Sequence, residues 1–206
     1  MSISVVTGAA GFLGMAIARR LLAEGDTVRA VVLRGDPVAT ELRALGEARL
    51  EVVEGDVSDY GSIAPAFAGA ARVFHSAALV HAWAPLERFR AINVGGTQNV
   101  ARAALENRLE RMVLISTTDV FGIPDGRTPL DEDSPFLPWN EPYADTKIEA
   151  EKWLWQFHRE SGLPVSVIYP GWIYGPGDRA FFPGLAEAIR GGFMLMWFRG
   201  VRLEWA

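Results

Sequence analysis

Residues Thr7–Gly14 read TGAAGFLG, with glycines at positions 8, 11 and 14. The apolar run ISVV precedes them and a helical pattern, Gly14–Glu24, follows. A glycine loop between a strand and a helix suits a phosphate: Gly8 allows the tight turn, Gly11 lets the backbone approach a pyrophosphate, and Gly14 lets helix and strand pack closely. Phe12 and Leu13 open the helix between the last two glycines and join them as candidate cofactor-binding residues. A helix start also offers unpaired N–H groups and a partial positive charge to an anion. Taken alone, the same stretch also reads as a plain strand–helix turn.

The surrounding pattern decides the fold. Five further apolar runs follow: TVRAVVL, RLEVVEG, RVFHSAA, RMVLIST and PVSVIYP. Helical stretches separate them at 39–45, about 58–68, 86–107 and about 142–161. Near-continuous apolar strands alternating with helices predict an α/β doubly wound parallel sheet, a Rossmann fold.

Half of the 206 residues are hydrophobic and 22% are charged, which suits a soluble globular domain. The net charge is −5 with no basic block, so nucleic acid is not an expected partner. The chain has no cysteine, which excludes thiolate chemistry and suits a reducing cytoplasm. No apolar run approaches the length of about 20 residues that spans a bilayer, and a cytoplasmic location is expected.

Several residues suit chemistry at the end of such a sheet. The second strand ends VVLRGD, with no acid at its tip and Arg34 just beyond. An acid there favours NAD and an arginine favours NADP, so Arg34 leans toward NADP; it reads equally as a solvated charge. Tyr143 and Lys147, in YADTK, fall one turn apart on a predicted helix. A nearby cation is expected to lower the phenol pKa and so suit it to moving a proton at an alcohol oxygen. Ser116, Thr117 and Thr118 end the fifth strand, where open α/β sheets bind ligands.

Together these features resemble the short-chain dehydrogenase/reductase superfamily in its extended branch, the NAD-dependent epimerases and dehydratases. The motifs follow in that family's order over about residues 1–180: TGAAGFLG, GDVSD, FHSAA, NVGGTQNV, STTDVFG, YADTK and PGWIYGPGD. The resemblance implies NAD(P) as cofactor. It places Asp56 and Val57 at the adenine, Ala77 and Ala78 along the cofactor, Asn93 in the stretch beyond, and Pro170 at the nicotinamide end. It makes Thr117 the catalytic hydroxyl, Tyr143 the acid/base, and Lys147 the residue that binds the nicotinamide ribose and tunes Tyr143.

Departures from the pattern narrow the substrate. Thr118 replaces one acid of the pair that dehydratases carry, leaving Asp119. Tyr169 and Trp172 stand where epimerases often carry an arginine and an asparagine, and Trp83 adds apolar bulk. In character the chain is closest to the hydroxysteroid dehydrogenase and dihydroflavonol reductase-like members. Extended members continue for a further hundred or so residues, so the small substrate domain is expected to be largely missing. The division expected is 1–180 for the dinucleotide-binding domain and 181–206 for a remnant or start of the substrate region. Within the latter, FMLMWF (193–198) has no following element to bury it.

The expected function is NAD(P)-dependent interconversion of an alcohol and a ketone or aldehyde on a hydrophobic small molecule. A nucleotide-sugar epimerase and a non-catalytic nucleotide-binding fragment are the alternatives. His75, His81 and His158 lack partners at ligand spacing, so no metal site is expected. Trp153 and Phe157 read as core or as a dimer face, and a homodimer is expected by resemblance.

Overall fold

A computed structural model describes residues 2–44, 48–80, 83–123, 129–179 and 181–191. The chain divides into two compact units, Met1–Gly171 and Trp172–Ala206.

The first unit is built on one parallel sheet of six strands: β1 (Ile3–Thr7), β2 (Thr27–Val32), β3 (Leu50–Glu54), β4 (Arg72–His75), β5 (Arg111–Ile115) and β6 (Val165–Ile168). Their order is β3-β2-β1-β4-β5-β6, so the winding reverses between β1 and β4. Every one of the six apolar runs supplies a strand, because β-branched residues on alternating faces bury against helices on both sides. Along β2, Val28, Ala30 and Val32 face α1 (Phe12–Ala23) and α2 (Val38–Ala44). Val31 faces the opposite core with Val5, Val73, Met112 and Leu114. That second core is closed by α3 (Tyr60–Ile63), α5 (Gly96–Glu106) and α6 (Pro142–Ser161).

Two helical stretches differ from their expected form. The stretch from Ser58 continues past α3 as a 3₁₀ turn, Ala64–Phe67, with Pro65 at its start. The long helix Leu86–Asn107 is α4 (Leu86–Phe89) and α5 joined by a π segment, Arg90–Gly95. Such wide turns are common at functional sites, and this one carries Asn93. Helix α6 begins and ends where the sequence places it. Glu141 caps Ala144 N–H at 2.7 Å, Pro142 occupies the first turn, and Gly162 closes the helix in the left-handed region at φ 74°.

At the amino ends of the strands a polar cluster ties the sheet together. Asp26 accepts from Ser2 at 2.9 Å, and from Ser4 and Arg72 at 2.8 Å each. Burial raises its pKa, but these partners outweigh it and hold the carboxyl below its ordinary value.

The second unit contributes α7 (Phe181–Arg190), an element that the sequence reading leaves unassigned. The 193–198 run lies outside the described residues, as does His81. Among the described residues, no helix is long and apolar enough to cross a membrane.

Candidate active site at the carboxyl ends of the strands

The glycine loop lies at the carboxyl end of β1, beside the point where the strand order reverses. Open α/β sheets bind ligands at this place. Gly8 adopts φ +67°, and a Cβ on it would lie 2.7 Å from the backbone nitrogen of Ala77. The loop therefore rests directly on the segment after β4. A Cβ on Gly14 would lie 2.1 Å from the Gly8 carbonyl oxygen, so helix and loop touch through bare backbone. Gly11 is the N-cap of α1 and no side chain caps the helix there. The first-turn N–H groups of Phe12, Leu13 and Gly14 have no intrahelical acceptor, and no acidic residue occupies that turn. This cradle of backbone donors, closed to a Cβ at Gly8 and Gly14, fits the diphosphate of a dinucleotide.

The remaining dinucleotide-binding candidates line the same edge of the sheet. Asp56 closes a turn by accepting from Ser58 N–H (2.9 Å) and Ser58 Oγ (2.7 Å). Val57 buries its side chain under Gly96, and its carbonyl accepts from Asn99 at 2.9 Å. Ala77 and Ala78 follow β4, with Ala77 N–H donating to Thr7 Oγ1 at 3.3 Å. Asn93 is fully engaged within the protein: it accepts from Leu79 N–H at 2.8 Å and donates to Leu79 O (3.2 Å) and Thr146 Oγ1 (3.0 Å). It thus fixes the segment after β4 against α6. Arg34 is exposed at the tip of β2, 3.8 Å from the Glu54 carboxylate, which also pairs with Arg43 at 3.4 Å.

His75 joins these elements in a way the sequence does not reveal. Thr97 Oγ1 donates to Asn93 O at 2.7 Å, so it accepts from His75 Nε2–H at 3.1 Å. The neutral ring then accepts at Nδ1 from the Thr7 hydroxyl, 2.7 Å away. One directed chain therefore runs from Ala77 through Thr7, His75 and Thr97 to the π segment. Burial, with the charge of Lys147, pushes the His75 pKa down to about 3. Below pH 6.5 the unfolded chain takes up a proton that the folded ring refuses, so stability falls as the pH drops toward 3. The expected loss is about 2 kcal/mol between about pH 7.5 and about pH 5. Urea midpoints across that range should show this slope in the native chain and lose it in His75→Gln; equal slopes would count against it.

The catalytic candidates come from β5, the turn after it and α6. Thr117 accepts from Asp119 N–H at 3.2 Å, and its hydroxyl is near enough to the phenol of Tyr143 to pull that group's pKa down. Lys147, 2% exposed, donates to Ile115 O at 2.7 Å. Ser116 turns away to Glu151 at 2.8 Å, whereas the Thr117 hydroxyl acts on Tyr143. Pro170 lies two residues past the end of β6, its carbonyl accepting from Thr118 N–H at 3.1 Å.

The pKa directions correct the sequence expectation. Tyr143 is not lowered but pushed up to about 12, first by burial and then by the charge of Asp119; the Thr117 hydroxyl opposes this only in part. Lys147 is itself brought down to about 8 by burial, against the charge of Glu151. A lysine one turn along a helix lies on the right face, yet its ammonium is directed at the Ile115 carbonyl. The phenol therefore keeps its proton at neutral pH.

Tyr169, expected near the substrate, directs its hydroxyl to Glu151 and packs its ring 4.9 Å from that of Phe121. Trp172 falls in the second unit. Glu151 was not among the sequence candidates. Its signal was available: residues 143, 147 and 151 repeat at one turn of a helix.

Known proteins are similar to this chain in sequence and in fold. A ketoreductase from Stigmatella aurantiaca, named for 4-hydroxy-2-methyl-3-oxo-4-farnesyl-3,4-dihydroquinoline-1-oxide, is 36% identical over 90% of this chain and 54% of its own length. A 2-alkyl-3-oxoalkanoate reductase from Stenotrophomonas maltophilia is 33% identical over 91% of this chain and 56% of its own. The chain thus spans about half the length of these curated relatives. The dTDP-glucose 4,6-dehydratase DesIV of Streptomyces venezuelae, solved with NAD and TYD bound, superposes with a TM-score of 0.82. It is 30% identical, over 92% of this chain and 62% of that one. The model of the NAD dependent epimerase/dehydratase family matches residues 4–200, and to that family the chain belongs.

Proposed function

We propose that the protein reduces a ketone on a hydrophobic small molecule, with NADPH as the hydride source. The observation that carries this reading is the placing of Tyr143, at the start of α6, where the Thr117 hydroxyl beyond β5 acts on its phenol, with burial keeping that phenol protonated. The cofactor supplies hydride to the carbonyl carbon when it is bound. Thr117 and Tyr143 hold the carbonyl oxygen, and Tyr143 gives that oxygen its proton as the C=O bond becomes an alcohol. Lys147 has three ammonium donors and uses one on Ile115 O, leaving others for the nicotinamide ribose. Gly8, Gly11, Phe12, Leu13 and Gly14 would hold the diphosphate. Asp56 and Val57 would flank the adenine, with Ala77, Ala78, Asn93 and Pro170 framing the rest.

An apolar substrate is supported by Tyr169, whose hydroxyl is taken up by Glu151 where a nucleotide-sugar epimerase often presents an arginine. The names of the two curated relatives, both reductases of oxo compounds, support the same class. NADP is favoured by the two arginines that meet at Glu54, since paired guanidinium groups suit a phosphate. Calorimetric titration should give a tighter Kd for NADPH than for NADH. Arg34→Ala with Arg43→Ala should weaken NADPH by about tenfold or more and leave NADH unchanged. Equal loss for both cofactors, or preference for NADH, would reverse the assignment. NADPH consumption with a panel of apolar ketones then tests turnover.

A further inference from the structure

We infer that Glu151 is a positioning residue of this site: its buried carboxylate is the counter-charge of Lys147 and clamps together the strand ends that carry Thr117 and Pro170. The inference rests on the reading of Lys147 and Thr117 given above. Tyr143, Lys147 and Glu151 form one stripe along α6, each a turn from the next.

Glu151 is wholly buried, at 0% exposure, a position where an isolated carboxylate is strongly disfavoured. Its partners come from three directions. Oε2 accepts from Ser116 at the end of β5 (2.8 Å). Oε1 accepts from Trp155 Nε1 on its own helix (3.2 Å) and from the Tyr169 hydroxyl beyond β6. Ser116 is the neighbour of Thr117, and Tyr169 is the neighbour of Pro170. One carboxylate thus sets the spacing of the two strand tips against α6. The donors satisfy its lone pairs, while the charge balance is left to a cation.

Lys147, one turn earlier on the same face of α6 and only 2% exposed, is that cation; its Nζ bonds Ile115 O and feels the carboxylate through space rather than in a direct ion pair. Burial drives its ammonium toward the neutral form, and Glu151 is the charge that opposes this. Other ionisable groups near the stripe do not replace it. His75, on β4, is neutral, and Asp119, in the turn after β5, acts on Tyr143. Tyr169 is bonded to Glu151 itself and is pushed upward by burial and then by that contact, so it stays a neutral donor.

The sequence makes the test direct. The chain contains two lysines, Lys147 and Lys152, and Lys152 is exposed. A cofactor-free chain labelled with ¹³C-lysine therefore gives two side-chain signals in a pH titration by NMR, with Lys152 as the in-sample reference. The native chain should show a Lys147 midpoint near pH 8. In Glu151→Gln, which keeps the shape and removes the charge, that midpoint should fall by about one unit or more. Ser116→Ala and Tyr169→Phe, which remove donors but keep the charge, should leave it in place. If the glutamine variant does not fold, Glu151→Asp carries the test with a smaller drop, because withdrawing the carboxylate weakens the same force. An unmoved midpoint in a folded Glu151 variant would overturn the inference. So would an equal drop in Ser116→Ala or Tyr169→Phe, which would trace the effect to packing. No substrate or cofactor enters this titration, so a chain that reduces no ketone leaves it fully readable.

Discussion

Alanine at Gly14 is expected to destabilise the chain by at least about 3 kcal/mol and to abolish dinucleotide binding. The added methyl would sit 2.1 Å from the Gly8 carbonyl oxygen, 2.7 Å from the Gly8 carbonyl carbon and 3.0 Å from Ala9 Cα. All three are backbone atoms, so no rotamer change relieves the overlap. The helix must move off the loop, and the loop must then leave its seat on Ala77. Against a net stability of about 5–15 kcal/mol, that loss removes a large part of the margin. Gly11 provides the contrast. Its φ of −74° suits any residue, and a Cβ there meets one neighbour, the Gly8 oxygen at 3.2 Å. Gly11→Ala should stay within about 1 kcal/mol of the native chain yet bind NADPH more weakly, since the methyl stands where a phosphate approaches. Urea unfolding and calorimetry on both variants separate the two effects. An unchanged urea midpoint in Gly14→Ala would refute the packing argument.

The second large effect is at Tyr143. With phenylalanine in its place, ketone reduction should fall by about a hundred- to ten-thousandfold. The ring remains in its setting and only the proton donor is lost, so NADPH affinity should remain within about twofold. The pH profile adds an independent check. A phenol with a pKa near 12 stays protonated through neutrality, so reduction should show no decline from loss of the Tyr143 proton between pH 6 and 9. Turnover retained in Tyr143→Phe would remove the tyrosine from the reaction.

The parts of this molecule that were readable from sequence are those set by local chemistry. The six strands are short β-branched runs, and α6 carries both of its boundaries in plain view, Pro142 and Glu141 at one end and Gly162 at the other. The glycine spacing likewise describes a purely local geometry. The π segment was hidden because α and π turns use the same residues and differ only in which carbonyl each N–H reaches. The role of His75 was hidden for another reason: its partners Thr7 and Thr97 lie 68 and 22 residues away. The direction of the Tyr143 shift was misread because spacing places a charge near a phenol but says nothing of how deeply both are buried. Glu151 depends on all of these at once, since its donors come from β5, from α6 and from the end of β6.

The strand order also sets a timetable. β1 meets β2 almost at once, with Ile3 opposite Thr27, but its other edge waits for β4, with Ser4 opposite Arg72. During synthesis the glycine loop and the tips of β2 and β3 can therefore assemble well before β5 and α6 emerge to complete the catalytic end. Until β4 emerges, one edge of β1, the strand that will lie at the centre of the sheet, has its backbone donors and acceptors unmet. A nascent chain in that state is open to pairing with a second copy. Late closure of this kind is the kinetic counterpart of non-local parallel pairing, in which entropy is lost before contacts repay it. The reversal of winding that creates a binding crevice in the finished protein is thus also the last seam in its first half to close.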